Sequence, residues 1–253
     1  MNTRRILFYF ISILLASSAI AQTNSSSKNK VVTTSKTNTT KSFAFTGSYT
    51  MKFTVKETNG KMQSGEIKSA FEGAQMASIP TFSADKNMNV RTVFNMNDNT
   101  MTMYFFDIKK NKKNGMMMKI PSLTQNNNTT EQKITSTIQK TNETKIIDGY
   151  NCTKWIINYS DGATCVAWIS KDLHINTAEA ISFFTKGMKG KKSPINTDCA
   201  NINACALQST YTAKDGSTVN MKMTDIKIGK PDAAFFTSSG YEVTDVTGIQ
   251  FFK

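Results

Sequence analysis

Residues 48–60 read SYTMKFTVKETNG, and the fold class turns on that stretch. Tyr49, Met51, Phe53 and Val55 alternate with Thr50, Lys52, Thr54 and Lys56. A period of two sends successive side chains to opposite faces of a strand, so one face is apolar and the other polar. A helix would scatter the same four apolar residues around its axis. Asn59-Gly60 then supplies the strongest short hairpin signal, and Met62–Phe71 reads as the returning strand.

The alternation continues along the chain. Strands are expected at Val90–Met96, Met101–Ile108 and Met116–Ile120, with an Asn97-Asp98-Asn99 turn between the first two. Weaker strands fall at Ile134–Ile138 and Glu143–Ile147, before the Asp148-Gly149 turn. Tyr150–Tyr159 and Ala163–Ile169 form a hairpin about Asp161-Gly162, and Ala204–Thr212 and Ser217–Ile228 another about Asp215-Gly216. One helix interrupts the pattern near residues 177–187. Asn176 is its cap, Glu179 stands at capping-box spacing, Ala178, Ile181 and Phe184 make its stripe, and Gly187 ends it. The fold class is mainly β, an antiparallel sheet crossed by one helix.

The chain opens MNTRRILFYFISILLASSAIAQ. Two arginines, an apolar run from Ile6 to Ala16 and a small-x-small Ala19-Ile20-Ala21 read as a signal peptide over residues 1–21. Cleavage is expected between Ala21 and Gln22. The run is about half the roughly 20 residues a membrane span needs, so no transmembrane segment is expected in the mature chain. Residues 22–41 are a polar, low-complexity leader that cannot bury enough surface to fold. Residues 42–253 are then one β-rich domain of an exported protein, periplasmic or secreted.

The formal net charge is +13. The lysines cluster in turn-like runs, 109–115 and 186–192, without the interleaved aromatics that stack bases, so no nucleic-acid partner is expected. A pull towards anionic lipid or polysaccharide stays open. The single histidine, His174, sits in a polar turn, and no nucleophile elbow or phosphate-cradling loop is present. No catalytic residue, metal centre or cofactor is expected, and the chain reads as a protein that is not an enzyme.

Two motifs carry a family resemblance. Gly149-Tyr150-x-Cys152 opens a hairpin whose second strand leads through Trp168 to Lys171-Asp172-Leu173, and Pro231-Asp232 precedes Phe235 and Gly240-Tyr241. Over roughly residues 145–245 the chain resembles the exported bacterial "domain of unknown function 4412" family. That resemblance implies a fold similar to the lipoprotein-carrier half-barrel (LolA/LolB-type), a curved antiparallel sheet closed by a helix around an apolar cavity.

The 14 methionines are the most distinctive chemistry. Met101/Met103, Met116/Met118 and Met221/Met223 are spaced two apart, which aims each pair at one strand face. Three readings compete: irregular core filling, a soft-metal site for Cu(I), and an adaptable apolar lining for lipid or an acyl chain. The carrier-like fold favours the last. Its candidate residues are Met51, Phe53, Met101, Met103, Phe105, Met221 and Met223. A cell-envelope structural or interaction protein without a ligand is the remaining alternative; oligomeric state is not encoded legibly.

Four cysteines in an exported chain suggest disulfides. A two-residue Asp161-Gly162 turn sets Asn158 opposite Cys165 and Trp155 opposite Trp168. Cys152 then lies some 20 Å from Cys165 along the ladder, too far to bridge. Cys199 and Cys205 are expected to close a small loop, with Cys152–Cys199 as the rival pairing.

Overall fold

The computed structural model describes residues 43–82, 88–119, 135–173, 175 and 205–247. The helix expected at 177–187, His174, Cys199, the signal peptide with its Ala21–Gln22 cleavage site, and the leader lie outside these residues. Twelve strands make one sheet: β1 (Gly47–Lys56), β2 (Met62–Glu72), β3 (Gln75–Phe82), β4 (Met88–Asn95), β5 (Thr100–Asp107), β6 (Lys112–Lys119), β7 (Ser136–Ile147), β8 (Tyr150–Tyr159), β9 (Thr164–Ser170), β10 (Cys205–Thr212), β11 (Thr218–Ile228) and β12 (Glu242–Asp245). Their order is β12-β6-β5-β4-β3-β2-β1-β11-β10-β9-β8-β7. All neighbours are antiparallel except β12, which runs parallel to β6.

The sheet is strongly curved. In a flat sheet the β7–β8 hairpin would stand three to four strand spacings, roughly 15–19 Å, from β11. Yet the Ile226 amide donates to the Asp148 carboxylate at 3.4 Å. Two irregularities help the sheet turn. Asp225 takes a left-handed conformation (φ 55°) where the β1–β11 register shifts, and β10 slips against β9 between Ala206 and Gln208. Such bulges add twist and bend the strand that carries them.

The inner face of the curve holds the main core. Tyr49, Met51, Phe53 and Val55 are all buried there, as the alternation in β1 requires. Phe71 is its hub, with ring centroids at 5.3 Å from Phe43, 5.7 Å from Phe45 and 5.8 Å from Tyr49. Phe94, Met76, Leu207 and Met223 extend it, and Leu173 and Ile175 pack onto it after β9. A second cluster, Ile157, Ala167, Ile169 and Tyr211, joins β8, β9 and β10.

Two strands escaped the sequence reading. β3 carries Pro80, which cannot donate to a ladder. Pro80 pairs with Ile67 of β2, and the β3–β4 ladder ends at Ser78, so among the described residues no second neighbour calls on its missing N–H. β12 is exposed throughout and so shows no apolar alternation. Conversely, the two weak strands expected at 134–147 are one, β7, interrupted where its register against β8 shifts between Lys140 and Thr144.

The β8–β9 register corrects an expectation. Asp161-Gly162 is not a two-residue turn: the Tyr159 amide donates to Ala163 O and Gly162 N to Tyr159 O, closing a loop of three residues with Gly162 at φ 93°. The extra residue shifts every pair by one. Asn158 faces Thr164, Ile157 faces Cys165, and Trp155 faces Ala167 instead of Trp168. A slip of one residue moves a side chain to the other face. Trp155 therefore packs against the second cluster, with Ile157 and Tyr211, while Trp168 packs against the main core.

Candidate functional site

The terminal motif is structural. After β11 the chain crosses the outer face of the sheet as a strap. Asp232 caps a short 3-10 helix (Ala233–Phe235), its carboxylate accepting from the Ala234 amide at 2.8 Å. Phe235, Phe236 and Tyr241 then pack on Ala70, Ala77, Val93 and Tyr104, which belong to β2, β3, β4 and β5. Arg91 rivets the strap: its two terminal nitrogens donate to Ala234 O and Thr237 O, and its guanidinium lies 4.4 Å from the Tyr104 ring centroid and 5.4 Å from that of Tyr241. The Arg91 cation opposes the burial that pushes the Tyr104 phenol up. Gly115 lets β12 close on β6, because a Cβ there would meet Val243 Cγ2 at 2.9 Å. Pro231, Asp232, Phe235, Gly240 and Tyr241 thus serve to cover the outer face of β2–β6 and one edge of the sheet.

The seven candidate ligand residues all lie on the inner face, in two groups. Register sets Met51 opposite Met223 and Phe53 opposite Met221 across β1 and β11. These four are only 2–6 % exposed, part of the packed core. Met101, Met103 and Phe105 lie on β5, four strands from β1, and are half-buried. Met101 faces Met118 and Met103 faces Met116, a ladder of four thioethers across β5 and β6. Phe94 of β4 pairs with Met101 and with Met76 of β3, so the ladder is continuous with the core. Met116 belongs to this group although the candidate set omitted it; its spacing with Met118 was the signal that could have found it.

The three described cysteines are thiols. Cys152 and Cys205 are buried and free, so Cys205 is not bridged here to Cys199. The Cys205 thiol turns inward, with Sγ 3.9 Å from Met223 Sδ. Cys205 and Cys152 pair in register with or beside Ser170 from the two sides of β9. Burial pushes Cys205 up to about 12, with the nearby Cys152 adding to the effect. It pushes Cys152 up too, against the opposing influence of Lys145. Protonated and buried, both behave as small apolar groups. Among the described residues no group of three or more His, Cys, Asp or Glu could hold a metal ion.

With that geometry in view, the comparisons place the chain. The model of the family described as "Domain of unknown function (DUF4412)" matches residues 45–240. The chain belongs to this family. The match spans β1–β11 and the strap as far as Gly240, and so includes the Asp148-Gly149 hairpin and the Asp232 cap. None of the curated proteins matches the chain. Among solved structures it is similar to PNGF-II, at 17 % identity and a TM-score of 0.34, over 79 % of this chain and 31 % of that one. The chain therefore spans about a third of the length of PNGF-II. It is also similar to a putative outer membrane lipoprotein-sorting protein domain from Vibrio parahaemolyticus, at 12 % identity and a TM-score of 0.31, over 75 % of this chain and 88 % of that one. A LolA superfamily protein from Nitrosomonas europaea shows 8 % identity and a TM-score of 0.30, over 79 % of this chain and 91 % of that one. No helix among the described residues is long and apolar enough to cross a membrane.

Proposed function

We propose that this DUF4412 protein is an exported, non-enzymatic binding module that takes an apolar ligand, a lipid or acyl chain, on the β5–β6 part of its inner face. One observation carries the reading. The Met101/Met118 and Met103/Met116 pairs, with Phe105, continue the core's apolar face, yet Met101, Met103, Met116 and Phe105 are only half-buried. Thioethers are flexible and polarisable, so such a lining adapts to chains of varying shape. Apolar surface left partly open at the end of a core gains about 25 cal/mol per Å² when an apolar ligand covers it. The signal-like N-terminus supports export to the periplasm or beyond, and the absence of a nucleophile–base arrangement in the sequence supports a carrier over an enzyme. Phe94 and Met76 then join the site to the packed block of Met51, Phe53, Met221 and Met223.

Native mass spectrometry of the purified protein, before and after solvent extraction, tests the proposal. The expected spectrum carries a co-purified lipid that extraction removes, and the extracted protein takes up a fluorescent fatty acid. An extracted protein that binds no fatty acid would sink the proposal.

A further inference from the structure

Register lines up one row across six strands, and its β11–β1–β2 part lies on the outer face, opposite Met51 and Met223. Lys154 of β8 faces Trp168 of β9, Trp168 faces Gln208 of β10, Gln208 faces Lys222 of β11, Lys222 faces Lys52 of β1, and Lys52 faces Glu66 of β2. Lys145 joins from β7: its Nζ sits 4.0 Å from the Trp168 ring centroid and donates to Gln208 Oε1 at 2.8 Å. The row's two acids at its ends are engaged, Glu143 with Lys154 at 2.7 Å and Glu66 with Lys68 at 3.9 Å. The middle is different. Lys52 and Lys222 are exposed, directly opposed, and make no ion pair or hydrogen bond among the described residues.

Like charges directly opposite each other destabilise a sheet. Here the pair is flanked by further cations. Lys56 lies on the same face of β1 and Lys227 pairs with Ser48; both are exposed. Between them the face carries short uncharged side chains, Thr54, Thr210 and Asn220, so the lysines stand above a low floor. From Lys227, opposite Ser48, to Lys56 the exposed lysines spread along β1 and β11 over roughly 26 Å at about 3.3 Å per residue. That span suits an extended array of negative charge better than a single small anion.

We infer that this lysine face docks the protein on an anionic phospholipid surface. The strap leaves it free, since the strap covers β2–β6 and the exposed lysines stand on β1 and β11. Charge complementarity is the argument: unpaired, mutually repelling ammonium groups gain when phosphate groups neutralise them, and each basic residue near such a surface contributes attraction that salt screens. The inference is independent of the apolar-ligand reading, which concerns the opposite face.

Sedimentation with vesicles of phosphatidylcholine, with and without phosphatidylglycerol, tests it. Binding is expected only to the phosphatidylglycerol vesicles, falling as salt rises. K52Q/K222Q is expected to weaken it about 25-fold, from roughly fivefold per surface-facing lysine. K109Q/K112Q makes the same charge change on the β5–β6 turn and is expected to cost under about threefold. K52R/K222R keeps the charge and the binding, which separates electrostatics from folding. Equal losses in the two glutamine variants would overturn the inference. So would indifference to phosphatidylglycerol, or binding to an acidic polysaccharide but not to vesicles.

Discussion

Met51 and Met101 lie on the same face of the same sheet, four strands apart, and their surroundings differ sharply. Met51 sits against Met223, with Ile67 and Phe53 beside it, and is 3 % exposed. Met101 sits against Met118 and Phe94 and stays half-buried. The difference follows from curvature. Around β1 and β11 the sheet curls until the β7–β8 hairpin and the segments at Phe43, Phe45, Leu173 and Ile175 fill the inside. Towards β5 and β6 that filling thins out, while the strap consolidates the opposite face. One half of the inner face is packed, and the other keeps apolar surface partly open.

Substitutions at the two halves should separate them. Phe71→Ala removes the hub that three aromatic rings share and is expected to cost about 3–5 kcal/mol in urea unfolding. Met51→Ala should cost about 2–4 kcal/mol by the same mechanism. Met103→Ala should cost under about 1 kcal/mol, because a half-buried side chain leaves little cavity behind. Equal losses at Met51 and Met103 would erase the distinction.

The strap gives the next effect. Tyr241→Ala deletes an edge-on contact with Tyr104 at 5.0 Å and part of the clamp on Arg91. It is expected to cost about 1–3 kcal/mol and to speed exchange of the β12 and β6 amides. An unchanged exchange pattern would show that the strap does not secure that edge.

Alkaline pH probes the filled half. The Cys205 thiol titrates near 9.0 when unfolded and about 12 when folded. Above pH 9 the unfolded chain holds fewer protons than the native one, so stability, complete below that pH, falls as pH rises towards 12. Burial raises Tyr49 as well, adding to the fall above its ordinary 10.0. Melting temperatures should therefore drop above pH 9, and Cys205→Ala should flatten that drop; an identical slope in the variant would contradict the assignment. The smallest effect is kinetic. Mild peroxide should oxidise Met101, Met103 and Met116 before Met51 and Met223, read by peptide mass mapping.

Much of this architecture was legible in the sequence, because alternation in β1, β5 and β11 is dictated by one buried face. Turn chemistry was legible only in part. Asp148-Gly149 and Asp161-Gly162 are the same dipeptide. In the first both residues take positive φ, 50° and 83°, and Ile147 pairs with Tyr150 across a two-residue turn. In the second only Gly162 does, and the loop holds three residues. That one residue decides whether Trp155 meets Trp168, and nothing within the dipeptide encodes it. Two-residue spacing puts all seven candidate positions on one face, the inner one. It did not separate packed from half-buried, since that depends on how far the sheet curls and on what the hairpin at Asp148 reaches. The strap was visible only as a motif, because Arg91 lies some 140 residues before the carbonyls it holds.

The β5–β6 thioether ladder, and not the packed block at β1 and β11, is the surface proposed to receive an apolar ligand. Photolabelling with a diazirine-bearing fatty acid, followed by peptide mapping, tests it most directly. The account predicts adducts on the peptides holding Met101–Phe105 and Met116–Met118, reduced when unlabelled fatty acid competes. Adducts confined to other peptides, or labelling that competitor leaves unchanged, would contradict it.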